Sequence, residues 1–334
     1  MTTADPDHQD DPQDDVTVPR LSVIVVSWNT LELTRAALQS VDTHLASVAH
    51  EIIVVDNAST DGTQEMIEAE FPRVRLIRNA DNRGFGKANN QGMAIARGEW
   101  LLLLNSDAEL MDDSVARLFA RVQDDHTIGV AHCRLISPDG TTQYSTYRLP
   151  SAKIALLDNL GLSRFMPNDS RADLLGGYWD QSFERDVEAV AGAFMLLPRL
   201  AYQQTGGFDE RIFMYGEDLE WCQRIGRMGF RIRYFPDATV MHHHHASSAK
   251  LLGDHRRITA SLATQTQIVR ERDGVIAAGL YVLLLGVGAS MRLAYYLVRG
   301  RSKSADGERF RSMIRPQLAV LRALLALRSG AVRG

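Results

Sequence analysis

Residues 101–110 read LLLLNSDAEL, four leucines running without a spacer into Asn105, Ser106 and Asp107. So abrupt an apolar run suits a parallel strand buried on both faces of a doubly wound sheet. The carboxyl ends of such strands open into the crevice where ligands bind. A carboxylate there can meet solvent, a metal or a phosphate. The structural alternative is a strand-ending turn, with Asp112 and Asp113 capping the next helix.

Working outward, the same pattern recurs. LSVIVVSWN (21–29) is a β-branched apolar run, followed by LELTRAALQSV with helical spacing. EIIVVDNASTDGT (51–63) is a second buried strand ending in an acidic turn, and QEMIEAEF continues as a helix. VRLIRN (74–79) predicts a short strand, NQGMAIARG a helix and EWLLLLNSD a fourth strand. Strands alternating with helices at this pitch imply βαβ units and a mostly parallel sheet. Two of the strands end in a carboxylate, Asp56 and Asp107, which favours a binding crevice over two unrelated turn caps.

Residues 137–186 are less regular, and SPDG, MPNDS and LLGGYW are turn signals. They predict a long excursion beside an acceptor site. VAGAFMLLPR (190–199) returns as a buried strand. The stretch FDERIFMYGEDLEWCQRIGRMGF reads as a loop entering a helix that ends before Gly229. RIRYFPDATVMHHHH then gives a strand, a proline break and a further strand entering a histidine run.

The chain has 334 residues and a net charge of -4, with the composition of an ordinary globular protein. Its two cysteines, Cys133 and Cys222, suggest no disulfide framework, so a reduced cytosolic setting is the expectation. No basic segment followed by an apolar stretch marks a signal peptide at the start. Charge is unevenly placed. Asp5, Asp7, Asp10, Asp11, Asp14 and Asp15 precede Arg20 with no lysine or arginine among them, predicting a disordered acidic tail over 1–19.

After Val298 come Arg299, Arg301, Lys303, Arg309, Arg311, Arg315, Arg322, Arg328 and Arg333, against only Asp306 and Glu308. A nucleic-acid partner is set aside, because the catalytic region carries no groove-reading motif. The neighbouring stretch 274–298, GVIAAGLYVLLLGVGASMRLAYYLV, holds one charge, Arg292, and is long enough to consider as a membrane span. The later FRSMIRPQLAVLRALLALR sets Ile314, Leu318, Leu321 and Leu325 on one stripe and Arg311, Arg315 and Arg322 on another, as in an interfacial helix. A single span would leave the basic tail outside, against the positive-inside tendency. The expectation is a peripheral or re-entrant attachment to an anionic surface at the cytoplasmic face of the membrane. The chain thus divides into an acidic tail (1–19), an α/β domain (20–250) and a helical, basic, membrane-associating region (251–334). Homo-oligomerisation is left open.

Several side chains are candidates for chemistry, each with a bland alternative. Asp56 can accept a hydrogen bond from a nucleobase imide N–H, or cap a turn within DNASTDGT. Asp61, beside Gly62, is the better cap. NRGFGKANN (82–90) lacks the full dinucleotide fingerprint, which excludes a nicotinamide site. Its glycines can still bring backbone N–H groups to a diphosphate, or form a plain turn. Arg78, Arg83 and Lys87 read as surface charges. In YGEDLEW, Glu217 and Asp218 begin a helix, where acidic residues complement its dipole. Glu220 and Arg224 are spaced to pair on the helix surface, and Trp221 to pack. In MHHHH (241–245), His242 and His244 share one face of a strand, His243 and His245 the other, and imidazole is a common metal ligand.

In this order, SVIVVSWN, IIVVDNASTDGT, NRGFGKANNQG, LLLLNSD, VAGAFMLLPR, GGFDERIFMYGEDLEWCQR and PDATVMHHHHASS resemble an inverting glycosyltransferase of family 2, rhamnosyltransferase-like branch, over roughly residues 20–248. The resemblance implies a GT-A fold, α/β and Rossmann-like, with a mostly parallel sheet and flanking helices, joined here to the C-terminal helices. It implies that Asp56 contacts the nucleobase in a pocket shaped by Asn29, and that Asn82, Gly84, Asn90 and Ser106 belong to the donor site. Asp107 would bind a divalent cation, Mg2+ or Mn2+, with His242 as a further ligand. The family's Asp-x-Asp motif is here Asn105-Ser106-Asp107, which leaves a single acidic ligand. Asp218 would be the general base, with Glu217 as runner-up. The implied reaction moves a sugar, rhamnose from dTDP-rhamnose as the leading choice, to a hydroxyl of a lipid-linked or polysaccharide acceptor. The alternatives are another donor, such as UDP-galactofuranose, or a noncatalytic nucleotide-sugar or glycan-binding protein on the same fold.

Overall fold

The computed structural model describes residues 18–167, 179–243, 254–301 and 305–328. The acidic segment 1–17 and His244 and His245 therefore lie outside the described residues. The strands are β1 (Leu21–Ser27), β2 (His50–Asp56), β3 (Arg75–Arg78), β4 (Trp100–Asn105), β5 (Ala108–Leu110), β6 (Ile128–Ile136), β7 (Thr146–Tyr147), β8 (Arg185–Val187), β9 (Ala189–Val190), β10 (Phe194–Pro198) and β11 (Arg231–His242). The main sheet runs β3-β2-β1-β4-β10-β6-β11-β5, with β8 on β11. Its β3-β2-β1-β4 half is parallel, and β6 and β11 are parallel to each other. Between these halves β10 runs antiparallel to both β4 and β6.

Helices α1 (Leu31–His44), α2 (Thr63–Glu70) and α4 (Ser114–Val122) cover one face. The other face carries α3 (Phe85–Ile95) and, after α5 (Arg199–Thr205), α6 (Glu217–Arg227). The leucines of residues 101–104 show why the strand is apolar throughout. Leu102 and Leu104 enter one core with Val23, Leu38 and Phe119, whereas Leu101 and Leu103 enter the other with Ile24, Met93 and Trp221. A strand between two helical layers has no solvated face to make polar. Cys133 and Cys222 are fully buried in these cores, and burial pushes the Cys222 thiol up to about 12.

Register then sets the site. Ser27 at the end of β1 lies opposite Asp56, while Val26 pairs with Asn105, so the polar ends of three strands meet at one edge. The chain turns at Ser106-Asp107 into β5, which pairs with the end of β11 so that Ala108 faces His242.

The C-terminal helices are α7 (Asp254–Arg299), α8 (Ala305–Ser312) and α9 (Ile314–Arg328). Gly274 interrupts α7 with φ 89° and ψ 173°, a conformation that a residue with Cβ rarely adopts. The chain folds back there: the Tyr281 hydroxyl donates to Gln265 Oε1 at 2.6 Å, a meeting that a straight helix forbids. The first half of α7 belongs to the catalytic core, with Ile268 fully buried and its carbonyl accepting from Gln223. The second half packs Ala278, Tyr281 and Leu285 with Ala323 and Leu324 of α9 and Ala155 of the excursion.

Candidate active site

A cavity of about 470 Å³ opens at the carboxyl ends of the strands. Asp107 and His242 form one wall, Glu217 and Asp218 another; Trp28, Asn82 and Tyr147 complete the rim, and Ser261 and Gln265 of α7 close it. A larger groove of about 590 Å³ lies at the opposite ends of the strands, between His50, Glu70 and Arg73. Its acidic groups are tied to arginines, Glu70 to Arg35 and Glu51 to Arg75 and Arg97, and it faces away from the crevice.

Asp107 and His242 are both buried. The β5–β11 pairing draws them together: the His243 N–H donates to the Asp107 carbonyl at 2.9 Å, and His242 Nε2 lies 3.3 Å from Asp107 Oδ1. His243 points to the other side of the strand and meets Glu109 at 2.7 Å. An oxygen and an imidazole nitrogen on a strand edge form a donor pair that fits a Mg2+ or Mn2+ ion completed by phosphate oxygens and water. Among the described residues no group of three His, Cys, Asp or Glu gathers that could hold an ion without such help.

The Glu217–Asp218 part of the lining is different in character. The Asp218 carboxylate accepts from the Gly192 N–H at 3.1 Å and the Leu219 N–H at 2.8 Å, which aim it into the cavity from the start of α6. Glu217 is buried, and its Oε2 has no hydrogen-bond partner among the described residues. Burial raises the pKa of both carboxyls; Asp218's charge adds to the effect on Glu217, and the Gly192 and Leu219 N–H groups oppose it on Asp218. Burial beside Asp218 also pushes the Tyr147 phenol up to about 12. Tyr215, just before the pair, is held at φ 74°. Non-glycine residues in that region store strain and cluster at functional sites.

Asp56 caps a turn and keeps one oxygen unpartnered among the described residues. Its Oδ1 accepts from the Ser59 N–H at 2.8 Å and Gln64 at 2.5 Å, as a turn cap does, while its buried Oδ2 has no hydrogen-bond partner among the described residues. Asn29, at φ 53°, accepts from the Thr60 N–H at 2.8 Å and so braces the loop after Asp56. Asp61 serves two elements, accepting from the Thr63 N–H and capping α1 at the Leu31 N–H. Asn82 accepts from the Gly84 N–H at 3.0 Å. A Cβ on Gly84 would stand 2.5 Å from the Phe213 carbonyl oxygen, so only glycine lets that loop pass. Ser106 lines the cavity and bonds Thr30 at 3.0 Å.

Asn90 needs correction. Its amide donates to the Phe208 carbonyl and accepts from the Phe208 N–H, both at 2.9 Å, and it does not line the cavity. Its place is that of a latch between α3 and the loop before α6. The Glu220–Arg224 pair is likewise more than a surface contact, because Glu220 is buried and Arg224 also reaches the Gly207 carbonyl at 2.5 Å. Trp221 packs, fully buried, against Phe208. Arg78, Arg83 and Lys87 are paired with Glu68, Asp81 and Glu210 and stay off the cavity wall.

Sequence reasoning missed Trp28, Tyr147, Gln265 and Gln143. Trp28 directly follows β1, so the strand-end pattern held a signal for it, whereas Tyr147 and Gln265 reach the cavity by tertiary packing alone. Gln143 had a visible antecedent in the SPDG turn, which folds the chain back on β6 and pairs the Gln143 N–H with the Leu135 carbonyl.

Residues 22–181 match the family model for Glycosyl transferase family 2. The chain is 31% identical over 203 residues to an N-acetylglucosaminyl-diphospho-decaprenol L-rhamnosyltransferase of Mycobacterium tuberculosis, a match covering 58% of this chain and 66% of the relative. It is 30% identical over 230 residues to the succinoglycan biosynthesis protein ExoO of Rhizobium meliloti, covering 68% and 61%. The matches thus span about two thirds or less of these relatives' lengths. Among solved structures, the mannosyltransferase PcManGT from Pyrobaculum calidifontis, in complex with GDP-Man and Mn2+, aligns at TM-score 0.55 and 19% identity over 93% of this chain and 87% of that one. GalNAc-T7 with UDP, GalNAc and Mn2+ aligns at TM-score 0.53 and 17% identity over 75% and 49%. These likenesses carry the GT-A fold.

Proposed function

Since the chain belongs to glycosyl transferase family 2 and has the GT-A fold, we propose that it transfers a sugar, with inversion, from a nucleoside diphosphate to a hydroxyl of a lipid-linked or polysaccharide acceptor. The observation that carries this reading is one cavity whose lining gathers Asp107 with His242 and, from another element, Asp218. Inversion requires attack on the anomeric carbon from the face opposite the departing diphosphate. A base and a charge-neutralising centre must then flank the sugar.

Asp218 is the base in this scheme. Two backbone N–H groups fix its direction, and its raised pKa suits it to take the acceptor proton, an effect worth roughly 10²–10⁴-fold. Glu217, deeper and short of partners, is read as a neutral neighbour. Asp107 and His242 would hold Mg2+ or Mn2+, which when bound offsets charge building on the leaving diphosphate. Asp56 Oδ2 offers its free lone pairs to a pyrimidine imide N–H, which supports a dTDP or UDP donor. Ser106, Asn82 and the loop at Gly84 border the diphosphate region. The rhamnosyltransferase likeness favours dTDP-rhamnose as donor and a polyprenyl-diphosphate glycan as acceptor.

The C-terminal helices support attachment along a membrane rather than through it. In the second half of α7, Ile276, Leu280, Leu283, Val287, Met291, Tyr295 and Val298 form an exposed stripe, with Ile276 89% exposed. Leu318 and Leu325 of α9 and Leu162 and Phe165 of the excursion are exposed as well, Phe165 being 74% exposed. So much exposed apolar side-chain surface on helices that also carry Arg315 and Arg322 suits an anionic lipid surface. One helix among the described residues is long and apolar enough to cross a bilayer. The single charge of its second half (residues 275–298), Arg292, donates to the Asn159 carbonyl at 3.0 Å and to Gln317 Oε1 at 3.0 Å, so a span would carry those polar partners into lipid.

The test incubates the full chain with labelled dTDP-rhamnose or UDP-galactofuranose, Mn2+ and a polyprenyl-diphosphate N-acetylglucosamine acceptor. Label entering the lipid fraction, and its loss with chelator, is the expected result. Nucleotide binding without transfer or donor hydrolysis, across a panel of donors and glycan acceptors, would favour the binding-protein reading.

A further inference from the structure

Gln143 lies outside the cavity lining, yet it grips His242 at two points. Its Nε2 donates to the His242 carbonyl at 2.7 Å, and its Oε1 stands 2.9 Å from His242 Nδ1. The hydrogen-bond network assigns the direction of the amide. A backbone carbonyl can only accept, so the atom facing it must be the amide nitrogen, which also reaches Ser137 Oγ at 3.1 Å. The oxygen is thereby turned to the ring, and Nδ1 must carry a hydrogen to meet it. Nε2, the nitrogen beside Asp107 and 3.4 Å from Asn105 Nδ2, is then the one that carries the lone pair when the ring is neutral.

We infer that Gln143 is a positioning residue for the cation: it fixes the His242 ring and holds it in the Nδ1–H tautomer, presenting Nε2 to a Mg2+ or Mn2+ ion at Asp107. This rests on the metal reading proposed above.

The local fold makes the grip possible. Ser137 and Thr141 close a turn, with the Ser137 N–H donating to the Thr141 carbonyl at 2.8 Å, and Asp139 bracing it through the Thr141 N–H at 3.0 Å. The hairpin brings Gln143 level with Leu135, next to the end of β11. A histidine ligand usually gives its other N–H to such a partner, and removing that partner weakens metal binding about 10–100-fold. A glutamine supplies the acceptor without adding charge beside an ion that already has Asp107.

The experiment measures dTDP and UDP affinity with and without Mn2+ by calorimetry, for the wild type, Gln143→Leu, His242→Ala and the double variant. Gln143→Leu should weaken Mn2+-dependent nucleotide binding about tenfold or more and leave metal-free binding unchanged. In the His242→Ala background the same substitution should have no further effect, because its route runs through the imidazole. Gln143→Glu, which keeps the acceptor but not the donor, should retain most of the Mn2+ effect and covers the case in which the leucine variant does not fold. Unchanged Mn2+ dependence in Gln143→Leu, additive losses in the double variant, or a glutamate variant as impaired as leucine would overturn the inference. A wild type with no Mn2+ effect on either nucleotide would instead remove the metal reading itself, and this inference with it.

Discussion

The two walls of the cavity are built from the same kind of side chain and handle it in opposite ways. Asp107 sits at the end of a buried strand, yet strand pairing sets an imidazole 3.3 Å away. Glu217 and Asp218 sit adjacent at a helix start, where among the described residues Asp218's hydrogen bonds come from backbone N–H groups, and both carboxyls are pushed toward the protonated form. A carboxylate proposed to hold a cation gains from a second donor beside it. One that must take a proton gains from a raised pKa. Sheet register makes the first wall, and desolvation makes the second.

The comparison breaks most visibly at Asp218. Asp218→Asn should lower kcat by at least about 10²-fold while leaving Mn2+-dependent nucleotide affinity as in the wild type. Near-normal turnover would remove Asp218 from the base role. Asp107→Ala should act on the other quantity, cutting the gain in nucleotide affinity that Mn2+ provides by about tenfold or more. An unchanged metal titration would refute that assignment.

Glu217 sharpens the contrast through pH. Its pKa is raised in the folded protein above the ordinary 4.5, so the folded state binds a proton that the unfolded state releases. That contribution is fully present below pH 4.5 and is lost as pH rises through the raised value. Glu217→Gln removes the titration, so its Tm relative to the wild type should climb steadily from acid to mildly alkaline pH. Parallel Tm curves would show that the carboxyl is not held protonated. The smallest effect is expected at Asn90, whose two bonds to Phe208 lie away from both walls. Asn90→Ala should destabilise by roughly 1–3 kcal/mol in chemical denaturation and leave nucleotide affinity intact.

How much of this was legible in the sequence differs by wall. The alternation of strand and helix, the apolar strands and the carboxylates at their ends are local patterns, and the structure keeps Ser106, Asp107 and His242 on the cavity lining, with Asp56 fully buried at the end of β2. Burial is legible only through tertiary context. Nothing in YGEDLEW says that Glu217 loses its water, because a helix start is ordinarily exposed. Asn90 misled for a related reason: it follows a glycine loop that does border the cavity, but one helical turn carries it to the far side, onto Phe208. Gln143 was hidden in a segment whose turns were visible but whose pairing was not. The apolar helix was visible as a single run, but Gly274 and the packing of Ala278, Tyr281 and Leu285 decide which of its faces remains exposed.

The central claim is that Asp107 and His242 bind a divalent cation together with a pyrimidine diphosphate. Thermal shift of the wild type and Asp107→Ala, each with UDP, dTDP, GDP or ADP and with or without Mn2+, tests it directly. At about 100 times Kd a ligand stabilises by roughly 2.7 kcal/mol, a readily measured rise in Tm. The account predicts a Mn2+-dependent rise with dTDP or UDP in the wild type that Asp107→Ala abolishes. A rise of equal size in both proteins, or none with any nucleotide, would contradict it.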